Sequence, residues 1–153
     1  MPVLEEGGES SSVDRISITG GVIMAKGGAN EAAGIGGGGH DGLLNNFSIT
    51  GGWIQATVHY RYNAQGNGNA NTIGGGCGKS SADLSNSTAI ILDGTAQTAT
   101  FYGTSATLTE DVALPDGYFL TINDGQTLTI ASGATLTNNG TITNNGIIVN
   151  SRP

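Results

Sequence analysis

The chain has 153 residues, a net charge of −7 and one cysteine, and 27 of its residues are glycine, well above the usual share of ~7%. Its five basic residues stand singly at Arg15, Lys26, Arg61, Lys79 and Arg152, which excludes the positive stripe that releases counterions from a nucleic-acid backbone. No apolar run approaches the ~20 residues of a membrane span, and the lone Cys77 excludes an internal disulfide framework.

Charged residues make up 11% of the chain, with Thr, Asn, Ser and Gly in their place. Such a composition can stay disordered when it buries too little to offset backbone entropy. The recurring Ile, Leu and Val pairs predict order instead. At the N-terminus, Met1-Pro2-Val3-Leu4-Glu5-Glu6 lacks the basic start and apolar stretch of a signal peptide. Leu4-Glu5-Glu6-Gly7-Gly8 matches the tail of a repeat found further on. The chain therefore reads as starting inside a repeat, either as a degenerate cap or as an excised piece of a longer exported protein.

The first repeat is explicit. Ile16-Ser17-Ile18-Thr19-Gly20-Gly21-Val22-Ile23 returns as Phe47-Ser48-Ile49-Thr50-Gly51-Gly52-Trp53-Ile54. A second block, Ala32-Ala33-Gly34-Ile35-Gly36-Gly37-Gly38-Gly39, returns at a longer offset as Ala70-Asn71-Thr72-Ile73-Gly74-Gly75-Gly76-Cys77. The second copy thus carries seven extra residues between Ala56 and Ala70, and insertions in stacked repeats map to loops on one face. This segment holds His59, Tyr60, Arg61 and Tyr62, close after Trp53, the single tryptophan.

From about Ala89 the pattern shortens. Thr88-Ala89-Ile90-Ile91-Leu92-Asp93-Gly94 reads as a strand and a turn. Alternating runs follow at Ala106–Thr109, Phe119–Ile122, Thr127–Ile130, Thr135–Thr137, Thr141–Thr143 and Ile147–Val149, most of them closed by Asp-Gly, Ser-Gly or Asn-Gly. Their spacing fits one strand plus one corner per step, with about three steps to a coil. A hairpin meander is the rival reading, since Asn-Gly is also a strong hairpin signal. The runs are short for a self-sufficient meander and recur regularly, so the expected fold is all-β: a single right-handed parallel β-helix, or β-solenoid, of imperfect Gly/Asn/Thr-rich repeats over residues 1–153. Residues 1–88 form its Gly-rich repeats and 89–153 its shorter coils.

In such a fold each coil lies on the last at ~4.8 Å, so inward Ile, Leu and Val stack on their equivalents. The Gly-Gly pairs at 20–21 and 51–52 and the Ile-Gly-Gly-Gly runs then mark corners where a side chain strikes the neighbouring coil. Asn138-Asn139 and Asn144-Asn145 are expected to build amide ladders between coils. Open ends are edge strands, prone to end-to-end stacking or homo-oligomerisation.

The pattern of Ile-Thr-Gly-Gly-hydrophobic, a Gly-rich gap and Ala-Gly-Ile-Gly-Gly-Gly resembles the repeats of large bacterial cell-surface proteins, adhesin-like or carbohydrate-binding, over residues 4–90. Thr127 to Asn150 is similar to their β-helical passenger stalks and to some phage virion proteins. The resemblance implies an extracellular β-helix at the bacterial surface, structural and adhesive, with a glycan or host-surface ligand as partner. The alternatives are a virion component, for which the missing signal peptide argues, and a β-helical polysaccharide lyase or hydrolase.

Candidate sites follow from chemistry. Sugar rings stack on flat aromatic faces, and an arginine beside them adds orientation, so Tyr60, Tyr62, Trp53, Arg61 and His59 are the candidate ligand-binding residues. Trp53 stands where the first repeat has Val22, which also suits a buried wedge. Gly36-Gly37-Gly38-Gly39-His40-Asp41-Gly42-Leu43 is similar to one copy of the calcium-binding nonapeptide pattern, but that family needs tandem copies, and the second block, Gly74 to Lys79, carries no aspartate. Gly78-Lys79-Ser80 fails as a phosphate loop, because Ile73 stands where its first glycine is required. Asp93, Asp116 and Asp124 each precede glycine and read as turn residues before acids. Cys77 aligns with Gly39 and reads as a small buried thiol. No convergent acid–base cluster shows. The chain is therefore expected not to be an enzyme and to hold no metal or cofactor.

Overall fold

The computed structural model describes residues 11–28, 32–39, 41–58, 71–77 and 79–152. Within them the chain is all-β, with fifteen short strands and no helix. Their shortness follows from the sequence, where β-branched runs of a few residues are cut by Gly, Asn and Asp.

The Gly-rich repeats pair in parallel. Strand β1 (Val13–Ile18) lies along β4 (Leu44–Ile49), β2 (Val22–Lys26) along β5 (Trp53–Thr57), and β3 (Ile35–Gly36) along β6 (Ile73–Gly74). The register is that of the repeat itself. Ile16 faces Phe47 and Val22 faces Trp53, both at the shorter repeat offset, whereas Ile35 faces Ile73 at the longer one. The register therefore jumps by seven between the Lys26–Thr57 and Ile35–Ile73 pairs, where the sequence places its insertion. Close contact explains the glycines of the second block. A Cβ added at Gly36 would meet the Gly74 carbonyl oxygen, and one at Gly76 the Gly39 carbonyl oxygen.

Next, β7 (Ile90–Asp93) extends the same sheet, with Trp53 opposite Ile90. Here the expected succession of parallel coils breaks. Strand β8 (Thr98–Phe101) runs back antiparallel to β7, pairing Ile90 with Phe101 and Asp93 with Thr98. The reason is local. The Asp93 carboxylate accepts the N–H groups of Thr95 and Ala96 at 2.9 and 2.8 Å, and Gln97 adopts φ 57°, so a four-residue loop reverses the chain. The described strands form six sheets of two to four strands, and the largest, β2-β5-β7-β8, is mixed. A continuous parallel helix is thus met only in its local pairings.

The short runs pair in parallel again, at every third strand. Strand β9 (Ser105–Leu108) lies beside β12 (Thr127–Ile130), which lies beside β15 (Ile147–Asn150). Likewise β10 (Val112–Leu114) pairs with β13 (Leu136–Asn138), and β11 (Phe119–Ile122) with β14 (Thr141–Asn144). Three tight turns separate these strands, closed by the N–H of Tyr118 on Pro115, of Gln126 on Asn123 and of Ala134 on Ala131. The third residue of each is glycine with φ of 81–85°, the position at which a type II turn needs it. Gln126 adds a clamp. Its side-chain amide donates to the carbonyls of Phe101 and Gly103, tying these turns to the end of the hairpin.

No asparagine ladder forms at Asn138 or Asn144. Asn138 lies beside Leu114 and Asn144 beside Ile122, so neither has an amide at the equivalent position of the preceding strand. Each side chain instead accepts the N–H two residues on, from Gly140 and Gly146, at 3.1 Å. This is a local Asx turn that leads the chain onward without reversing it.

Two hydrophobic cores result, one on each face of the β2-β5-β7 ladder. Trp53, Ile90 and Leu92 join Phe101, Leu108, Leu114, Leu120 and Leu128 on one face. Ile54, Ala56 and Ile91 join Ile18, Ile35, Ile49 and Ile73 on the other. A strand buried on both faces reads as a continuous apolar run, as Ile90-Ile91-Leu92 does. Replacing Ile54, which is fully buried, by Ala should cost about 2–5 kcal/mol in urea denaturation. The Met24→Ala change on the neighbouring strand, where the side chain is 54% exposed, should cost no more than ~0.5 kcal/mol.

Candidate functional site

The aromatic candidates separate. His59, Tyr60, Arg61 and Tyr62 lie outside the described residues. Trp53 is 3% exposed and packs in the core against the face that holds Leu108 and Val112, which is the wedge position its repeat partner Val22 also takes. The strand leading to the insertion is anchored at Val58, whose N–H donates to the Thr95 hydroxyl at 3.0 Å. The returning chain is anchored at Asn71, whose amide donates to the carbonyls of Gly75 and Lys79 at 2.8 Å.

Asp41, the carboxylate of the single nonapeptide-like copy, pairs with the Lys79 ammonium at 3.1 Å. Lys79 follows Cys77 as Asp41 follows Gly39, so the two occupy equivalent positions of the repeat. Where a shared calcium site would need a second carboxylate, this chain supplies a cation. Among the described residues no group of three or more His, Cys, Asp or Glu is placed to hold a metal ion. Cys77 is 2% exposed and not disulfide-bonded, as a small buried thiol should be. Asp93 caps its turn, as its place before glycine suggests, and Asp116 and Asp124 stand exposed in the tight turns.

A cleft that the sequence does not announce lies on the hairpin face opposite Trp53. On this face Asp93 sits across from Thr98, and Ile91 across from Thr100. Thr72 and Ile73 of the second Gly-rich repeat, with Leu84, form the facing wall of a cavity of about 130 Å³. The cavity is two-sided in chemistry. Ile73 and Ile91 are buried in its apolar part, whereas the Thr98 and Thr100 side chains are exposed and Tyr102 is half-buried. Its carboxylate is held in place. One Asp93 oxygen accepts the two turn N–H groups and the other accepts the Thr72 hydroxyl at 3.3 Å. The β8 strand is equally fixed beyond the ladder, since Ala89 and Tyr102 exchange backbone hydrogen bonds in both directions. The cleft thus sets the exposed Thr98 and Thr100 side chains and a hydrogen-bonded carboxylate beside a buried apolar wall.

The signal for this cleft is partly present in the sequence. Thr98-Ala99-Thr100-Phe101-Tyr102 alternates, which puts Thr98, Thr100 and Tyr102 on one face of any strand. That Asp93 shares the face requires the antiparallel return, and that Thr72 closes it requires the packing of a repeat that precedes the hairpin in the chain.

A second titratable group lies near the hairpin. Tyr118 is buried in the core, with its oxygen 3.5 Å from the Gln55 amide that donates to it. Burial first, and then the negative charge of Asp93, pushes its phenol above the ordinary value near 10. The folded chain therefore holds this proton longer than the unfolded chain does. Its contribution to stability is whole below about pH 10 and is lost as pH rises from the unfolded value through the folded one. Denaturation midpoints followed from about pH 8 to pH 11 should fall more steeply for the wild type than for Tyr118→Phe.

Among the described residues no helix is long and apolar enough to cross a membrane. No family model, curated protein or solved structure matches the chain.

Proposed function

We propose that the chain is a non-catalytic structural and adhesive module of a bacterial surface protein, folded as a right-handed parallel β-solenoid and directed at a glycan. The observation that carries the reading is the register: residues aligned by the repeat become cross-strand partners in the parallel pairs, first at Val22–Trp53 and later at Leu128–Ile148. Each repeat then buries itself against its neighbours and leaves its outer positions free to vary, which is how stacked-repeat proteins build binding surfaces. The exposed faces carry Thr, Ser and Asn with few charges, a surface that exchanges hydrogen bonds with hydroxyl-rich partners. A surface location outside the cell agrees with that role, and a virion rod is the competing place for it.

The purified chain on a broad glycan array, beside a Tyr60→Ala/Tyr62→Ala variant, tests this. Selective binding is the expected result, and loss of binding in the variant would put the contact on the inserted segment. An array without any bound glycan would remove the glycan from the proposal and leave a scaffold.

Association with a second copy is favoured by one specific feature. Ile147, Ile148 and Val149 of β15 are 58%, 40% and 41% exposed, and β15 has a strand neighbour only in β12 among the described residues. From Gln126 to Ser151 no charged residue occurs, so the charges that commonly guard a sheet edge are missing there. Light scattering should show concentration-dependent association that Ile148→Lys abolishes. A wild type that stays monomeric at every concentration would refute it.

A further inference from the structure

We infer that two copies of the chain join tail to tail through the open edges of β13, β14 and β15, and that association stops at two. The inference rests on the self-association read from β15 above and gives it a direction and a limit. The surface is the first argument. Strands β13, β14 and β15 end three parallel ladders, and among the described residues each has one strand neighbour, β10, β11 and β12 respectively. Leu136, Ile142 and Ile148 lie beside the buried Val112, Leu120 and Leu128. Leu136 and Ile142 are themselves half-buried and Ile148 is exposed, so one end of the core is left uncovered.

Backbone direction is the second. The N–H groups of Ile147 and Ser151 donate to the carbonyls of Gln126 and Ile130 on the covered side. Alternation along a parallel strand turns the N–H and C=O of Ile148, between them, toward the open side. In β14 the N–H groups of Thr141 and Asn145 donate to Tyr118 and Ile122 in the same way, which leaves those of Ile142 facing outward. Uncovered aliphatic side chains and unpaired edge groups therefore coincide, as a further strand requires.

Charge is the third, and it chooses the partner. A two-fold contact brings each residue near its own copy, so a charge in it meets its like. The tail carries none from Gln126 to Ser151, whereas the whole chain, at net charge −7, repels itself elsewhere. The opposite edge, or head, is different. Strands β1 and β2 also have one strand neighbour each, but they carry the exposed Asp14, Arg15 and Lys26. Charged side chains on an edge strand oppose pairing with another strand. Head-to-tail stacking would meet that guarded edge at every junction, and tail-to-tail contact avoids it. The two-fold also turns the partner's strands round, so the new pairs are antiparallel, the slightly more stable arrangement. Once two tails meet, neither copy has a second tail to offer, and the assembly closes.

Sedimentation velocity of the full chain over a wide range of concentration tests this, beside Ile148→Lys, Thr143→Lys and Ser17→Lys, with circular dichroism as the check on folding. Thr143 and Ser17 are exposed positions of β14 and β1. We expect the wild-type mass to level off at that of a pair and Ile148→Lys to stay single. Thr143→Lys should need about tenfold more protein to pair, because its charge enters the contact twice, and Ser17→Lys should pair as the wild type does. Mass that keeps growing with concentration, or pairing lost in Ser17→Lys, would overturn the tail-to-tail contact and leave self-association standing. Pairing undiminished in both tail variants would overturn it as well. A wild type that never associates would bring down the self-association reading and this one with it. A nitroxide on Asn150→Cys gives a readout independent of the lysine variants, since Cys77 is buried. Pulsed EPR should then show one short distance between labels, and labels held a molecule's length apart would refute the contact.

Discussion

One sheet removes water from both of its faces, and the two cores depend on it. Strands β2, β5 and β7 send Val22, Trp53, Ile90 and Leu92 to one side and Ile23, Ile54, Ala56 and Ile91 to the other. A fully buried aliphatic side chain contributes roughly 1.5–3 kcal/mol of transfer free energy, and thin stacks of short strands offer few such positions. Sharing a wall lets consecutive residues count, where an ordinary half-exposed strand uses every second one. The Gly-rich repeats and the short C-terminal strands are thereby held together through apolar surface that neither would bury alone. Among the described residues the interior is mostly Ile, Leu, Val and Ala, with Trp53, Phe101 and Tyr118 as its large aromatic members.

Much of this arrangement is legible in the amino acids, for a physical reason. Parallel pairing puts like beside like, so a repeat offset in the chain is a register in the sheet. The offset from Ile16 to Phe47 and the longer one from Ile35 to Ile73 both survive folding as pairs of Cα partners. Crowding glycines are legible too, because a repeated glycine in a parallel stack meets the backbone of its own counterpart, as Gly36 meets Gly74. The reversal at Asp93-Gly94 is legible only as a turn. The local bonds of Asp93 close the turn, and the packing of the exit strand, which puts Phe101 in the same core as Ile90, holds the reversed direction. The Asn-Gly steps show the opposite outcome from similar letters. There the asparagine bonds its own backbone and the chain goes forward.

The cleft is less readable than the fold. Its parts come from three stretches, near Thr72, Leu84 and Asp93–Tyr102, and none carries a spacing with chemical meaning by itself. Aromatic density draws attention to the inserted segment and to Trp53. Density of one residue type does not distinguish a presented ring from a core ring, and the repeat position of Trp53, opposite Val22 and Ile90, is the better guide. Gln126 teaches the same lesson. A single amide that holds Phe101, Gly103 and Asn123 leaves no pattern in the sequence, since its partners are backbone groups that any residue has.

The jump in register has an evolutionary consequence. Pairing before it, at Lys26–Thr57, and after it, at Ile35–Ile73, is regular on both sides. Length at that point is therefore uncoupled from the ladder, because a parallel stack fixes which residues face each other and leaves the path between two paired stretches unspecified. Additions and deletions there leave the paired stretches on either side in register. The two copies of the repeat already differ in this way, so the chain has a place where novelty is tolerated while the framework around it stays unchanged.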